Sequence, residues 1–450
     1  TVCASRLHGC DRPGRGGRGH RRRAALMFER LLPTFAPRLP PFLAVMCAAY
    51  LAMLPTNNLV WPRSLAFALM SAAALLTMVT HPRDTRARFA GGGGVLLAIL
   101  LWWLWSTASL HWTVEPRFSV REWETELQYG AFVFIAFFIG IRDAHDFRAM
   151  VVTLLSSFTL LALLLIVTTL ATGEFDPEKW HHDVGVWSTH LVEVAPLLLF
   201  VLAGFDGTRA SRRRVLVFAA LLVLLLLNAR LTENRIVWLA FGASFGVAAI
   251  AAALRWRTIF KTLPWRFLAP LAALFLLLGF AFADVAQQKA EMYYPANRSI
   301  SSSLENDPRI ALWKVAVEKI REAPWLGYGF GRGILRQVLP AELHDRAMTH
   351  PHNTFVGQWL ETGIVGLLLF LSMLGALALR YVAMIRERDG SLVMAGIVGL
   401  SLIAGFVTKN LTDDFFYRSN AKLFWALNAI LLACAIARQR AARAAPAELP

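Results

Sequence analysis

The chain has 450 residues, is 56% hydrophobic, and carries 15 Trp and 30 Phe. Apolar runs such as Leu221 to Leu227 recur along its length, which excludes a soluble globule and points to a polytopic membrane protein. The formal charge of +16 does not imply nucleic acid, because where the arginines fall says more than their sum.

Residues 1–26 are Arg- and Gly-rich and lack apolar periodicity. They are expected to be a disordered basic leader that is not native to the folded protein, with Met27 opening an ordinary start; a functional basic tail is the alternative. The four cysteines make no disulfide framework, since Cys3 and Cys10 lie in this leader and Cys47 and Cys434 in the first and last spans.

Apolar segments predict about twelve transmembrane helices, with cores at 41–54, 62–80, 91–107, 127–141, 149–171, 186–205, 214–229, 235–254, 266–283, 354–380, 391–408 and 421–438. Spans one to nine fill 27–283, spans ten to twelve fill 354–438, and 439–450 is a tail. Basic residues set the orientation. Arg83, Arg86 and Arg88, then Arg142 and Arg148, then Arg209 to Arg214, then Arg255 to Arg266, then Arg380 to Arg388 all fall on one side, as do Arg438, Arg440 and Arg443. That side is read as cytoplasmic, with both termini on it. The long polar segment 284–353, between spans nine and ten, is then outside, and periplasmic in a Gram-negative cell. The fold class is all-α, with this one large helical segment beyond the membrane.

No nucleotide pool exists on that side, so an enzyme there needs a donor already activated on a lipid. Within the segment, Asp307 suits a helix cap and Pro308 a first turn. Arg309, Leu312, Trp313, Ala316 and Ile320 follow at helical spacing, which puts Arg309 on the apolar face, where it needs an anionic partner. Gly327 to Gly333 is glycine-rich and is expected to be a loop with close backbone approach or positive φ.

The sharpest signal is His350-Pro351-His352-Asn353, running straight into span ten. An imidazole at a membrane mouth suits a general base near neutral pH, with Asn353 to orient it or bind a sugar hydroxyl. His352 is preferred to His350 because it abuts Asn353 and the helix start. The plainer reading is a solvated loop with an Asn cap. Arg309 and Arg235, the latter after Thr232-Glu233-Asn234, offer two guanidinium forks for a diphosphate; headgroup snorkelling is the alternative. Asp413 and Asp414, with Lys409 and Arg418, lie on the last outside loop and suit orienting the histidine or an acceptor, or else plain solvation. His181-His182-Asp183 with His190 and Glu193 matches metal-ligand spacing only loosely; His190 and Glu193 are expected to wall the outer cavity, and His181 and His182 to be solvated. Arg117 and Arg121 after span three suit lipid phosphates or an acceptor, or a plain surface. No phosphate loop, zinc-protease helix, serine nucleophile elbow or Asp-X-Asp pair stands at the relevant places.

At these residues the chain resembles the O-antigen ligase family, within a wider group of O-antigen polymerases and protein O-oligosaccharyltransferases. The resemblance rests on His352-Asn353 with Gly363 and Gly366, on Arg309-Ile310-Ala311-Leu312-Trp313, on Gly327-Tyr328-Gly329 and on Arg235, and it covers roughly residues 41–438. It implies transfer of O-antigen from undecaprenyl diphosphate to a sugar hydroxyl of the lipid A core, at the periplasmic face of the bacterial inner membrane. It implies neither metal nor other cofactor, with membrane lipids and the two lipid-linked glycans as partners and no nucleic acid. Catalysis would fall to His352 as base with Arg309 and Arg235 on the diphosphate. His350, Asn353, Arg117, Arg121, His190, Asp413 and Asp414 would contact substrate. The motif does not separate ligase from polymerase. A transporter is the reading from another class, but the spans are clean at their centres and polar at their outer ends.

Overall fold

A computed structural model describes residues 35–207, 211–256, 265–293, 308–339 and 350–444. The leader 1–26, half of the expected tail (445–450), and parts of the long polar segment lie outside these described residues. Within them the chain is helical and no strand occurs.

The helices run in order: α1 (Leu39–Met53), α2 (Val60–Thr80), α3 (Pro82–Ala108), α4 (Pro116–Glu122), α5 (Tyr129–Gly140), α6 (Ala144–Thr172), α7 (Val184–Val194), α8 (Leu198–Ala203), α9 (Arg212–Leu231), α10 (Arg235–Arg255), α11 (Trp265–Tyr293), α12 (Pro308–Glu322), α13 (Ile334–Val338), α14 (Thr354–Ile385), α15 (Gly390–Asn410) and α16 (Arg418–Ala444). Side-chain caps open several of them, since the first backbone N–H groups have no partner inside the helix. Asp143 caps α6, Asp183 α7, Ser211 α9, Asn234 α10, Asn353 α14 and Asp389 α15.

Among the described residues, 11 helical stretches are long and apolar enough to cross a membrane, α7 and α8 together forming one. This is one fewer than the twelve predicted. The segment read as 127–141 is helical as expected but is not among the 11. There the helical path runs unbroken from Pro116 to Gly140, but its middle, Trp123–Gln128, is a π-helix. The widened turn leaves α5 with only 12 regular residues.

Contacts divide the bundle into two ends. At one, Arg88 donates to the Ile141 carbonyl, Arg440 pairs with Asp84, Arg438 with Asp389, and Arg255 donates to the Glu387 carbonyl. This is the arginine-rich end. At the other, the loops at 109–115 and 411–417 meet the 308–339 segment and the turn at 350–353, the 232–234 loop meets 411–417, and the loops at 55–57 and 174–183 meet each other. A small separate core holds that segment together. Leu312 and Ile320 of α12, Ile334 and Leu335 of α13, and Leu360 of α14 are all buried there.

The helix α14 is broken at Gly363, whose φ of 70° and ψ of −176° suit glycine alone. The break frees the carbonyls of Leu360 and Glu361. They accept from the N–H groups of Tyr328 (2.9 Å) and Gly329 (2.8 Å), while the Ile364 N–H donates to the Pro324 carbonyl (2.9 Å). A Cβ on Gly363 would lie 2.0 Å from the Trp325 carbonyl oxygen, and one on Gly327 2.6 Å from that of Leu360. The glycine loop and the glycines of α14 are therefore two halves of one joint. Gly366, nearby in α14, faces Trp105 of α3, whose indole donates to the Thr362 carbonyl.

Candidate functional site

The joint holds the start of α14 against the α12 segment, and the histidine turn sits at that start. Asn353 is the cap: its Oδ1 accepts from the N–H groups of Phe355 (2.9 Å) and Val356 (3.1 Å), and its Nδ2 donates to the Leu411 carbonyl (2.8 Å). The side chain thus bonds backbone at both ends, the cap of the plainer reading. From α12, Trp313 donates its indole N–H to the Pro351 carbonyl at 2.7 Å. Arg309 lies one turn before Trp313, so the same helix that clamps the histidine turn carries the arginine.

His352 adopts φ 48°, in the left-handed region. Only Glu233, His352 and Arg418 do so among the described non-glycine residues, and all three lie at this end of the bundle. Such backbone costs of order 1–3 kcal/mol per residue and persists where surrounding structure enforces it, typically at sites of function. The rings of His352 and His350 are 4.1 Å apart, centre to centre.

His350 is 8% exposed. Its Nε2 accepts from the Arg332 Nη2 at 2.7 Å, and its Nδ1 lies 3.6 Å from Asp414 Oδ2. Burial first, then the Arg332 charge, pushes the imidazole pKa far below its ordinary value, so the ring is neutral. The His352 N–H also approaches Nδ1, at 3.3 Å. The shorter Arg332 contact decides the tautomer: Nε2 is the acceptor and Nδ1–H faces Asp414. With its lone pair taken, His350 is not an available base.

Arg332 itself is fixed from three sides. Its Nε donates to the Asp414 carbonyl (2.6 Å), its guanidinium lies 3.9 Å over the Tyr417 ring, and it faces the Asp414 carboxylate (3.5 Å). Asp414 also accepts from the Thr354 hydroxyl (3.1 Å), and burial nets its pKa upward despite these partners. Behind Asp414 lies a narrow cleft of about 30 Å³ whose wall includes Glu122, Glu126, Glu361, Arg332 and the rings of Tyr417 and Trp425.

Asp413 organises the neighbouring cations. It is 2% exposed and bonds Lys409 Nζ, Arg309 Nη2 (3.3 Å) and Asn234 Nδ2 (3.3 Å). Burial alone would raise its pKa, but Lys409 and Arg309 outweigh burial and hold it below the usual carboxylate range. Arg309 thus has the anionic partner that its place on the apolar face demanded. Asn234 caps α10, and Arg235 is the first residue of that helix. Lys289 of α11 lies within electrostatic reach of Arg235, Arg309, Asp413 and Glu233. Among the described residues the cluster therefore sets Arg235, Lys289, Arg309 and Lys409 against Asp413, Glu233 and Asp183. That excess of positive charge suits a polyanion.

Other sequence candidates lie apart. Arg117 and Arg121 are exposed on α4, which leans its Phe118 on Gly331 and Gly333 of the glycine loop. His190 is wholly enclosed, edge-on to Phe158 and 3.1 Å from His181 Nε2. A ring so enclosed does not face a cavity, contrary to expectation. His181 is also fully buried instead of solvated, its Nδ1 on the Pro55 carbonyl, and burial brings its pKa down to about 3. These rings join α7 to the α1–α2 turn. Among the described residues the compact His/Asp group is Asp143, His145 and Asp146 at the arginine-rich end, where Asp143 caps α6 and Asp146 pairs with Arg142.

Two participants escaped sequence reading. Arg332 sits between glycines in Gly331-Arg332-Gly333, a signal read only as backbone. Lys289 lies on what looked like solvent-facing polar chain.

The family model described as O-Antigen ligase matches residues 220–371. That stretch holds Arg235, Lys289, Arg309, Arg332, His350, His352 and both glycines of the joint, but not Asp413 or Asp414. A candidate polysaccharide ligase of Rickettsia felis is 28% identical over 172 residues, covering 36% of this chain and 39% of that protein. A second, from Rickettsia conorii, is 29% identical over 119 residues, covering 24% and 29%. The match thus spans well under half the length of either relative.

Proposed function

We propose, on the premise that an O-antigen ligase-type segment carries the site, that this chain transfers a polysaccharide from a lipid diphosphate to a sugar hydroxyl of a second glycolipid. The donor is undecaprenyl-diphosphate-linked O-antigen and the acceptor a sugar of the lipid A core. The reaction takes place at the periplasmic face of the inner membrane, with the arginine-rich end cytoplasmic. One observation carries this reading: α12 brings Arg309, through the Trp313–Pro351 bond, beside a histidine turn backed by Asp413 and Asp414.

In this reading the acceptor oxygen attacks the anomeric carbon of the donor, and the bond from that carbon to the diphosphate oxygen breaks. The lipid diphosphate leaves carrying the bonding pair. Its growing negative charge is what most needs stabilising, and Arg235, Lys289 and Arg309 supply preorganised positive charge in a partly dry site. A diphosphate is a good leaving group, so no strong acid is required. The acceptor's proton goes to His352, a contribution of about 10²–10⁴-fold for a positioned base. His350, locked neutral by Arg332, holds the turn. No step calls on a metal or nucleotide.

The test is transfer with purified components in detergent, with EDTA and no nucleotide, using lipid-linked O-antigen and rough lipopolysaccharide. A ladder of glycan-bearing lipopolysaccharide is the expected product. Growth of the carrier-linked glycan instead would make the protein a polymerase, and neither product from sound substrates would refute glycosyl transfer.

A further inference from the structure

A second cavity among the described residues lies at the other end of the molecule. It is a groove of about 540 Å³ between α10 and the end of α14, with Leu400 of α15 also in its wall. Val247, Ile250, Leu254, Val382 and Ile385 make its sides apolar, and Ile250 and Leu254 face outward as lipid-exposed residues do. Two arginines stand in its wall where the helices end, Arg255 and Arg386. Arg255 is tethered by Nη2 to the Glu387 carbonyl (2.9 Å), while its buried Nε has no hydrogen-bond partner among the described residues. Arg386 is exposed at the α14 cap. Nearby Asp389 is engaged with Arg438 (3.6 Å), and exposed Glu387 stands among Arg255, Arg386 and Arg388, so arginines outnumber acids at the mouth.

An apolar slot at membrane depth with guanidinium forks at its polar end matches one chemistry: a fatty-acyl chain joined to a phosphate. Simple snorkelling accounts for an arginine at a helix end but not for a groove beside it or for an unpartnered, buried Nε. We propose that this groove is a binding site for one acidic diacyl phospholipid, its phosphate between Arg255 and Arg386 and an acyl chain along Val247–Leu254. The site is distinct from the histidine turn, because it sits at the arginine-rich end.

The test is native mass spectrometry of the full-length protein in mild detergent with an equimolar mixture of phosphatidylglycerol and phosphatidylcholine of matched chains. Two arginines near a phosphate predict one retained phosphatidylglycerol favoured by about tenfold. The Arg255→Gln/Arg386→Gln variant should bring the two lipids to parity, and Arg255→Lys/Arg386→Lys should keep part of the preference. Parity in the wild type, or an unchanged preference in the Gln variant, overturns the site. If the double variant does not fold, Arg386→Gln alone decides, since that side chain is exposed: the preference must fall. Displacement of the lipid by glycerol phosphate would show that only the phosphate matters, and displacement by polyprenyl phosphate would hand the groove to a donor-type lipid; either result also overturns it.

Discussion

His350 and His352 sit two residues apart and differ in burial and backbone. The first is buried, neutral and occupied by Arg332; the second is half-buried in strained backbone. His350 therefore leaves a mark on stability. Its imidazole stays neutral in the fold, whereas in the unfolded chain it takes up a proton as pH drops below its ordinary value of 6.5. The fold then binds fewer protons than the unfolded chain, so this contribution is full above that pH and drains away as pH falls below it. Thermal midpoints measured across this range should fall toward acid, and His350→Gln should flatten the slope by up to about 1.4 kcal/mol per pH unit. An unchanged slope would mean that the ring is not held neutral. Arg309 gives a second prediction. It serves Asp413 and, in the proposed reading, a diphosphate, and a lysine ammonium has no fork to span both. Arg309→Lys should lose most transfer, by about tenfold or more if a bidentate contact is lost, while keeping its thermal midpoint. Wild-type turnover in that variant would leave Arg309 a structural role only.

At the level of elements, the joint between the glycine loop and the break in α14 is what presents the histidine turn. Gly363→Ala should cost about 1–3 kcal/mol from backbone conformation alone, before the clash with the Trp325 carbonyl is counted. A clear drop in thermal midpoint is expected, and an unaltered midpoint would show that the break is not needed. Trp313→Phe keeps the ring but removes the N–H to Pro351. Losing one hydrogen bond costs about 0.5–1.5 kcal/mol, so transfer should slow while the fold survives, as activity and melting measured together would show. The histidine turn, the α12 helix and the pairing demand of Arg309 were legible in sequence because each is local: a cap, a first-turn proline, a helical spacing. The partners were not. Asp413 stands out in sequence but not its pairing with Arg309, and Arg332 and Lys289 do not stand out; the three come from separate stretches that only tertiary packing brings together. The π-helix at Trp123–Gln128 was equally silent. It is held by long-range contacts, among them the Trp123 indole to Thr107 and the Arg418 N–H to Glu126, which no periodicity announces.

For the whole molecule, hydropathy located the spans but not their places. The central window of α9 has the higher mean hydropathy, 2.1 against 1.6 for α16, yet only 17% of it is buried against 89%. In a bilayer an apolar surface is equally content against lipid, so hydrophobicity does not choose the centre. Small and polar residues do: Ser419, Asn420 and Asn428 of α16 are buried, and Asn428 accepts from Tyr381 of α14. The proposed orientation puts the histidine end outside. A cysteine at exposed Glu178 should react with an impermeant maleimide on intact spheroplasts, and one at Arg388 should not; the reverse pattern would invert the topology. The measurement that tests the central claim most directly is the transfer rate of His352→Ala beside wild type, at equal protein in proteoliposomes loaded with donor and acceptor. A base at this position predicts a fall of at least about 10²-fold with an unchanged melting profile. Transfer at the wild-type rate in a folded His352→Ala protein would contradict it.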